Sequence, residues 1–448
     1  MSAAKTTPLR SALRRLAGYI GRNRGYYTVW LLTTLAYVAA FAAIPRLVGR
    51  SIALIDAGRP GDEIGRAIFW LVTVTVGSVV VRFFSRTLVF NAAREIEYEI
   101  RNDVFEHLQR QPPSFYGRWR TGDIMSRCVN DINAVRLLLG VGLLNIVQTP
   151  ILYVAVISMM IHINAKVALL VLVPYPLFIV IARTFGRAVH RFSLATQEGL
   201  AELSNHLQET ISGISVIKAY AVEGVSAERF ATSNESLYRN QVHLVSANAA
   251  MPAIVMLLPA AATLIVLVAG GNEIVAGRMV KADFFTFVMY IYSLTFPTFI
   301  MGWVVALAQR GAASMRRIDE LLSEEPSIAD PPDALPLPGI RGDVEFRNLT
   351  FHYPGLRDRE PALRDIDLRI PEGTTLGVVG TVGSGKTTLA SLIPHLWEVE
   401  RGRLSIGGRD INDIPLHALR SSIAMVPQES FLFSMSLAEN IAFGLPDA

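Results

Sequence analysis

Six stretches of this 448-residue sequence are apolar enough, and long enough, to cross about 30 Å of hydrocarbon: 26–48, 67–90, 137–160, 165–185, 246–271 and 283–308. In lipid each backbone N–H and C=O must find its partner inside the protein, so stretches of this kind are restricted to helices. Pro45, Pro150, Pro174, Pro176, Pro252, Pro259 and Pro297 interrupt the spans, which membrane helices tolerate where neighbouring helices satisfy the freed carbonyls. With 18% charged and 51% hydrophobic residues the composition leans the same way, since soluble domains run near a quarter charged.

The charges give the spans a direction. Lys and Arg number nineteen in 1–25, 91–136 and 183–245, against seven in 46–66, 161–166 and 271–283. The positive-inside rule therefore places both termini in the cytoplasm. "NAAREIEYEIRNDVFEHLQR" and "LATQEGLAELSNHLQETISGISVIKAYAV" repeat apolar residues at helical spacing, which predicts membrane helices extended far into the cytoplasm. The segment "PLRSALRRLAGYIGRNR" alternates Leu and Ile with Arg, and residues 1–25 are expected to hold an interfacial helix. The net charge of +4 comes from dispersed basic residues, so membrane loops explain it and nucleic acid is not expected as a partner. Cys128 is the only cysteine, which excludes a disulfide framework and a cysteine metal site. No short apolar run ends in a cleavage site near the N-terminus, so no cleaved signal peptide is read there.

The six-helix domain is expected over 26–322, its last helix running on through "QRGAASMRRIDELL". A linker, 323–340, is dense in proline. From 341 the periodicity shortens to strands, "VEFRNLTFHY", "ALRDIDLRI" and "TTLGVVG", then a helix "KTTLASLIPHLW", then strand-like "GRLSIGG" and "SIAMVPQ". Between the third strand and the helix lie Gly380, Thr381, Val382, Gly383, Ser384, Gly385, Lys386, Thr387 and Thr388. Gly-x4-Gly-Lys-Thr between strand and helix is the P-loop pattern. Glycines let successive N–H groups turn inward on phosphate oxygens, and the helix start adds its dipole. Lys386 is expected at the β/γ-phosphates of ATP, the Thr387 hydroxyl on Mg²⁺, and Thr388 beside them. Residues 341–448 contain ten arginines and only one lysine, Lys386. A compact ammonium suits a cramped loop where a forked guanidinium does not.

With these motifs the whole chain resembles a half-transporter of the ATP-binding cassette exporters, multidrug and lipid exporter type. "FHYPG" is similar to the family's adenine-stacking loop, which implies that Tyr353 is the aromatic platform. "VPQES" resembles the loop whose glutamine contacts Mg²⁺ and the attacking water, which implies a catalytic and metal-binding role for Gln428. "SFYGRWRTGDIMSRCVNDI" (114–132) and "ETISGISVIKAYAVEGVSAERF" (209–230) look like the segments that couple cassette closure to the membrane helices. The implied fold is an α-helical membrane domain of six transmembrane helices with long cytoplasmic extensions, followed by an incomplete α/β P-loop NTPase domain over 341–448. The family's signature, acidic strand with catalytic glutamate and switch histidine do not occur before Ala448. The chain is therefore expected to be cut within its cassette and not to hydrolyse ATP by itself.

The resemblance implies an ATPase-driven exporter subunit of the plasma (inner) membrane, working with a second half-transporter as homo- or heterodimer. Its substrate would be a small molecule or lipid of amphipathic or lipophilic character. A non-transporting ATP-binding membrane protein, or an inactive partner subunit, is the alternative. Tyr37, Phe41, Tyr153, Tyr290, Tyr292, Phe296, Phe299 and Trp303 are candidates to line an amphipathic cavity, although such aromatics more often pack or face lipid. Arg82 lies sixteen residues beyond Arg66, about 24 Å along a helix, which puts it near the inner interface.

Overall fold

The computed structural model describes residues 9–330, 337, 339–355, 360–428 and 431–444, leaving out the side chains of 179, 182 and 251. Residues 1–8 of the expected interfacial helix, 331–336 and 338 of the linker, Glu429 and Ser430 of "VPQES", and 445–448 lie outside the described residues. The chain divides into two compact units, one of Pro8–Glu99 and Ile132–Arg316, the other of Ile100–Asp131 and Arg317–Ala448.

Helix α1 (Leu9–Arg22) buries Ala12, Leu16 and Tyr19 at i, i+4 and i+7, the stripe its sequence spacing requires. Among the described residues six helices, some with local breaks or π turns, are long and apolar enough to cross a membrane. They are α2 (Arg24–Asp56), α3 (Gly61–Arg110), the run Thr121–Ile163, Ala165–Ser212, Glu223–Val275 and Lys281–Leu322, and each contains one of the six expected spans. Between α3 and the next membrane stretch lies α4 (Pro113–Arg118). The third run joins α5 (Thr121–Ser126), α6 (Ile132–Leu137) and α7 (Leu143–Ile163) through two π-helical turns. The fourth joins α8 (Ala165–Leu172) and α9 (Pro174–Ser212), broken at Val173 because Pro174 has no N–H to carry the ladder on. After α10 (Ile214–Ala219), the fifth joins α11 (Glu223–Ile265) and α12 (Gly271–Val275), and α13 (Lys281–Leu322) is the sixth.

Five of the prolines sit inside helices that continue through them: Pro45, Pro150, Pro252, Pro259 and Pro297. At Pro45 the neighbouring helix supplies donors. Tyr290 Oη donates to the Ala42 carbonyl at 2.8 Å and Thr286 Oγ1 lies 3.3 Å from the Pro45 carbonyl. Tyr290 and Tyr37 are buried in the helix core with Val156, Val167, Ala262, Val266 and Phe287, so both are packing residues, while Tyr292, Phe296, Phe299 and Trp303 are exposed. Buried Glu273 accepts from Lys166 at 2.9 Å and from Arg278 at 2.6 Å, tying two turns at one end of the bundle.

Helices α2 and α3 run antiparallel in a readable register. Asn23 Nδ2 donates to Glu99 Oε1 at 2.7 Å, Thr34 and Ser85 share a 2.8 Å hydroxyl bond, and the Arg82 guanidinium lies 5.6 Å from the centroid of Tyr37. Arg82 is thus level with Tyr37, thirteen residues from Arg24 and nine from Arg46. That is about 20 Å from one and 14 Å from the other. Counting from Arg66 along a single helix put this arginine near the inner edge; the register sets it level with the middle of the apolar stretch 26–48 of α2.

In the second unit a four-stranded antiparallel sheet has the order β2-β1-β3-β4, with β1 (Val344–Phe351), β2 (Leu363–Ile370), β3 (Leu404–Ile406) and β4 (Arg409–Asp410). Val344 pairs with Ile370 on one side and Ile406 on the other. A bulge at Asn348, φ +42°, shifts the register so that Phe346, Leu349 and Phe351 all point inward. They pack with Leu363, Leu392, Leu404, Ile411 and Leu419. After α14 (Lys386–Leu392) come α15 (Leu416–Ser421) and α16 (Leu437–Ile441). The linker's described ends are held to this unit: Asp330 accepts from the Leu416 N–H at 2.6 Å, and the Ile340 N–H donates to Ser422 Oγ at 3.0 Å.

Two expected strands do not form. Residues 374–380 and 423–427 carry no strand assignment and have no ladder partner among the described residues; Val379 and Val426 are 97% and 94% exposed. A strand exists only with a neighbour to bond, and apolar residues alone do not supply one. The expected helix "KTTLASLIPHLW" also stops early, at Leu392. Pro394 has no N–H to bond the Ala390 carbonyl and so ends the ladder, and His395 turns left-handed at φ +52°, donating its N–H to the Leu392 carbonyl at 3.0 Å.

Candidate nucleotide-binding site

The loop 380–385 owes its path to glycine. Gly383 and Gly385 have φ of +83° and +89°, conformations closed to most side chains. A Cβ on Gly385 would come within 2.6 Å of the Ala362 carbonyl and 2.7 Å of Leu363, which begins β2. The loop can lie against that strand only because this position has no side chain. Gly385 then caps α14, whose first residue is Lys386.

Lys386 reaches back over its own loop. Its Nζ donates to the Gly380 carbonyl at 2.9 Å, the Thr381 carbonyl at 2.7 Å and Ser384 Oγ at 3.3 Å. Neutral oxygens hold the ammonium centred over the turn, where phosphate oxygens, being charged, make stronger partners. Val382 and Thr387 are exposed, and Thr388 is buried. The Thr388 hydroxyl shares a 2.8 Å hydrogen bond with Tyr353 Oη, so it faces the aromatic residue rather than standing free.

Tyr353 follows β1 and is half-buried. Its ring meets Phe351 edge-on at 5.1 Å and Trp397 edge-on at 4.9 Å. The structure therefore brings Tyr353 to the helix of the glycine loop, a juxtaposition spanning 35 positions of sequence. Trp397 was not singled out from sequence; the available signal was an aromatic at the end of the apolar run that follows Lys386. Gln428 is exposed, and among the described residues no hydrogen bond joins it to the loop. Below α14, His395 is buried with Nδ1 unpartnered. Burial, with Arg420 adding to it, pushes its pKa down from the ordinary imidazole value.

The segment 113–131 is anchored to the end of α13. Arg317 Nε donates to Asp131 Oδ2 at 2.8 Å, with a second bond between the same two groups. Arg127 pairs with Glu320 at 3.0 Å and lies 4.4 Å from the Trp119 centroid. Gln111 and Arg118 both reach Glu324, through its carbonyl and carboxylate respectively. In the other unit the tip at 211–225 exposes Ile211, Ile214, Val216, Tyr220 and Val225.

Comparison with known proteins gives these features a common origin. Residues 28–298 match the model of the ABC transporter transmembrane region and 363–445 that of the ABC transporter domain. The chain is 33% identical over 368 residues to a putative multidrug export ATP-binding/permease protein of Bacillus subtilis, covering 82% of this chain and 63% of that one. It is 32% identical over 389 residues to a multidrug resistance-like ATP-binding protein of Escherichia coli, covering 86% and 65%. An ATP-dependent lipid A-core flippase of Syntrophus aciditrophicus is 30% identical over 362 residues, covering 81% and 60%. The chain thus spans less than two thirds of the length of these three relatives. Six apolar helices joined to a glycine-loop cassette, matched by both models, make this chain a multi-pass membrane protein that belongs to the ABC transporter family.

Proposed function

We propose that the chain carries the membrane domain and the first part of the cassette of an ATP-driven exporter subunit. The supporting observation is the fusion of six membrane helices to a loop in which Lys386 is centred over Gly380–Ser384 with Tyr353 against the same helix. In this reading the loop amides and Lys386 hold the β/γ-phosphates of ATP, Tyr353 stacks the adenine, and Thr387 and Gln428 contact Mg²⁺. Among the described residues no cluster of three His, Cys, Asp or Glu could hold a metal unaided. That fits Mg²⁺, which takes few protein ligands and fills its octahedron with phosphate oxygens and water.

ATP then draws this cassette against that of a second half-transporter. The segments 114–132 and 209–230 pass the motion to the membrane helices, which alternate between two arrangements. The anchoring of 113–131 through Asp131, Arg127 and Gln111 suits a rigid lever, and the exposed apolar tip at 211–225 suits docking on a partner. Both termini lie in the cytoplasm, the membrane is the plasma (inner) membrane, and the cargo is amphipathic or lipophilic. The 448-residue polypeptide alone binds nucleotide without turning it over, because the water-polarising glutamate and the signature are not among its residues. Domain limits of 26–322, 323–340 and 341–448 accompany this reading.

Inverted vesicles containing the full-length gene product test it. ATP-dependent accumulation of an amphipathic dye that Lys386→Ala abolishes is the expected result. ATP binding without any vectorial movement, across a panel of lipophilic compounds, would restore the non-transporting alternative.

A further inference from the structure

Arg82 and Arg86 stand one helical turn apart on α3, exposed, in the stretch "VVVRFFSRTLVF". By the register with α2, Arg82 is about 20 Å from the level of Arg24, level with the middle of the apolar stretch 26–48. The next charged residue along α3 is Arg94, about 12 Å beyond Arg86 and 18 Å beyond Arg82. Snorkelling to that edge does not account for Arg82. Charge at such depth is costly and is retained where it pairs with something.

The protein supplies no carboxylate for the pair. Asp and Glu are absent from 1–55, 64–94, 132–197, 236–272 and 284–318, which takes in the six spans but for Asp283 at the first position of the last. A second copy of the same chain would bring none from these segments either. What the protein does supply is an aromatic support. The Arg82 guanidinium lies against the Tyr37 ring, and a guanidinium on a ring face keeps its N–H edge available for in-plane bonds. Exposed Phe83 and Phe84 flank it, with Ile68, Phe69, Val72, Val76, Val79 and Val80 exposed along the same helix. Two cations beside apolar surface call for a ligand with a negative head and a hydrocarbon body.

We infer that Arg82 and Arg86 form the headgroup contact of a site for an amphipathic anion, a carboxylate or phosphate bearing acyl chains. The inference rests on the exporter reading for its biological sense, as cargo recognition, but the site itself stands on the membrane helices alone. Arg86 pairs with the same anion from one turn away, so a two-oxygen head can bridge both guanidinium groups.

The test is native mass spectrometry of the full 448-residue chain in neutral detergent, with palmitate against monopalmitoyl glycerol and phosphatidylglycerol against phosphatidylcholine. At least one anion is expected to be retained roughly tenfold better than its neutral counterpart, as a pair of charge-assisted contacts in apolar surroundings implies. Retention of palmitate alone assigns a single-chain carboxylate; retention of phosphatidylglycerol alone assigns a phosphodiester. R82Q/R86Q should bring anion and neutral lipid to parity, and R82K/R86K should keep most of the preference. Equal retention of charged and neutral lipid by the unaltered chain overturns the inference, as does an undiminished preference in R82Q/R86Q. The comparison on the unaltered chain decides the matter even if the glutamine variant does not fold. Lys386→Ala should lose nucleotide and keep the lipid preference, so failure of this site and failure of the ATP-driven reading give different results.

Discussion

The phenol of Tyr353 and the hydroxyl of Thr388 lie 2.8 Å apart, joining the end of β1 to the first turn of the helix that follows the glycine loop. Through that bond the ring is positioned relative to the phosphate end of the proposed site, with Trp397 edge-on behind it. Stacking and phosphate binding then share one rigid support.

Replacing Tyr353 separates the two contributions. Tyr353→Ala removes the stacking face and should weaken ATP binding by about 1–3 kcal/mol, the range for aromatic stacking on a base. Tyr353→Phe keeps the face and loses only the bond to Thr388, so a smaller loss, about 0.5–1.5 kcal/mol, is expected. Titration with a fluorescent ATP analogue distinguishes them. Equal affinity in Tyr353→Ala and the parent would remove Tyr353 from the site.

Gly385→Ala tests the loop path. The new methyl meets the Ala362 carbonyl and Leu363 at under 3 Å while φ stays positive. The cassette should lose more than about 1 kcal/mol of stability, and nucleotide binding with it. Denaturant unfolding followed by hydrogen exchange in β1 and β2 measures this; an unchanged midpoint would show that the loop has another low-energy path.

Arg317→Met leaves the Asp131 carboxylate buried without its two-bonded partner. A cost of about 1–3 kcal/mol is expected locally. Hydrogen exchange should rise in 121–131 and in the last turn of α13 while β1 and β2 stay protected. Unaltered exchange in 121–131 would show that this ion pair is not what anchors the segment.

His395 gives the cassette a pH dependence of defined sign. Its folded pKa is depressed by burial, with Arg420 adding to the effect and Asp410 and Glu398 opposing it. The unfolded chain therefore binds the proton more readily, and stability falls as pH drops through the ordinary imidazole value, near 6.5. Above that pH the contribution is fully present. His395→Asn tolerates the left-handed backbone and does not titrate, so its melting temperature should lose that part of the pH slope. An identical slope in the variant would assign the dependence to other groups.

Much of this is legible in the sequence. Six helices were evident because an apolar run over twenty residues long has few alternatives, and the glycine loop because its glycines and single lysine serve one geometry. What escaped depended on neighbours. Trp397 matters only because β1 delivers Tyr353 to it. Residues 374–380 have the composition of a strand but no ladder partner among the described residues. Distance along α3 from Arg66 says nothing of which residue of α2 Arg82 meets, which is Tyr37. Gln428, read from its resemblance to a motif, is exposed, with no hydrogen bond to the loop among the described residues.

The most direct measurement is nucleotide binding by the purified 448-residue chain, followed by photo-crosslinking of an azido-ATP and mapping of the labelled peptide. Saturable labelling that falls within 344–397, is competed by ATP and disappears in Lys386→Ala is the expected result. Labelling that survives Lys386→Ala unchanged, or that maps outside the cassette, would contradict the assignment of Gly380–Thr388 as the phosphate site.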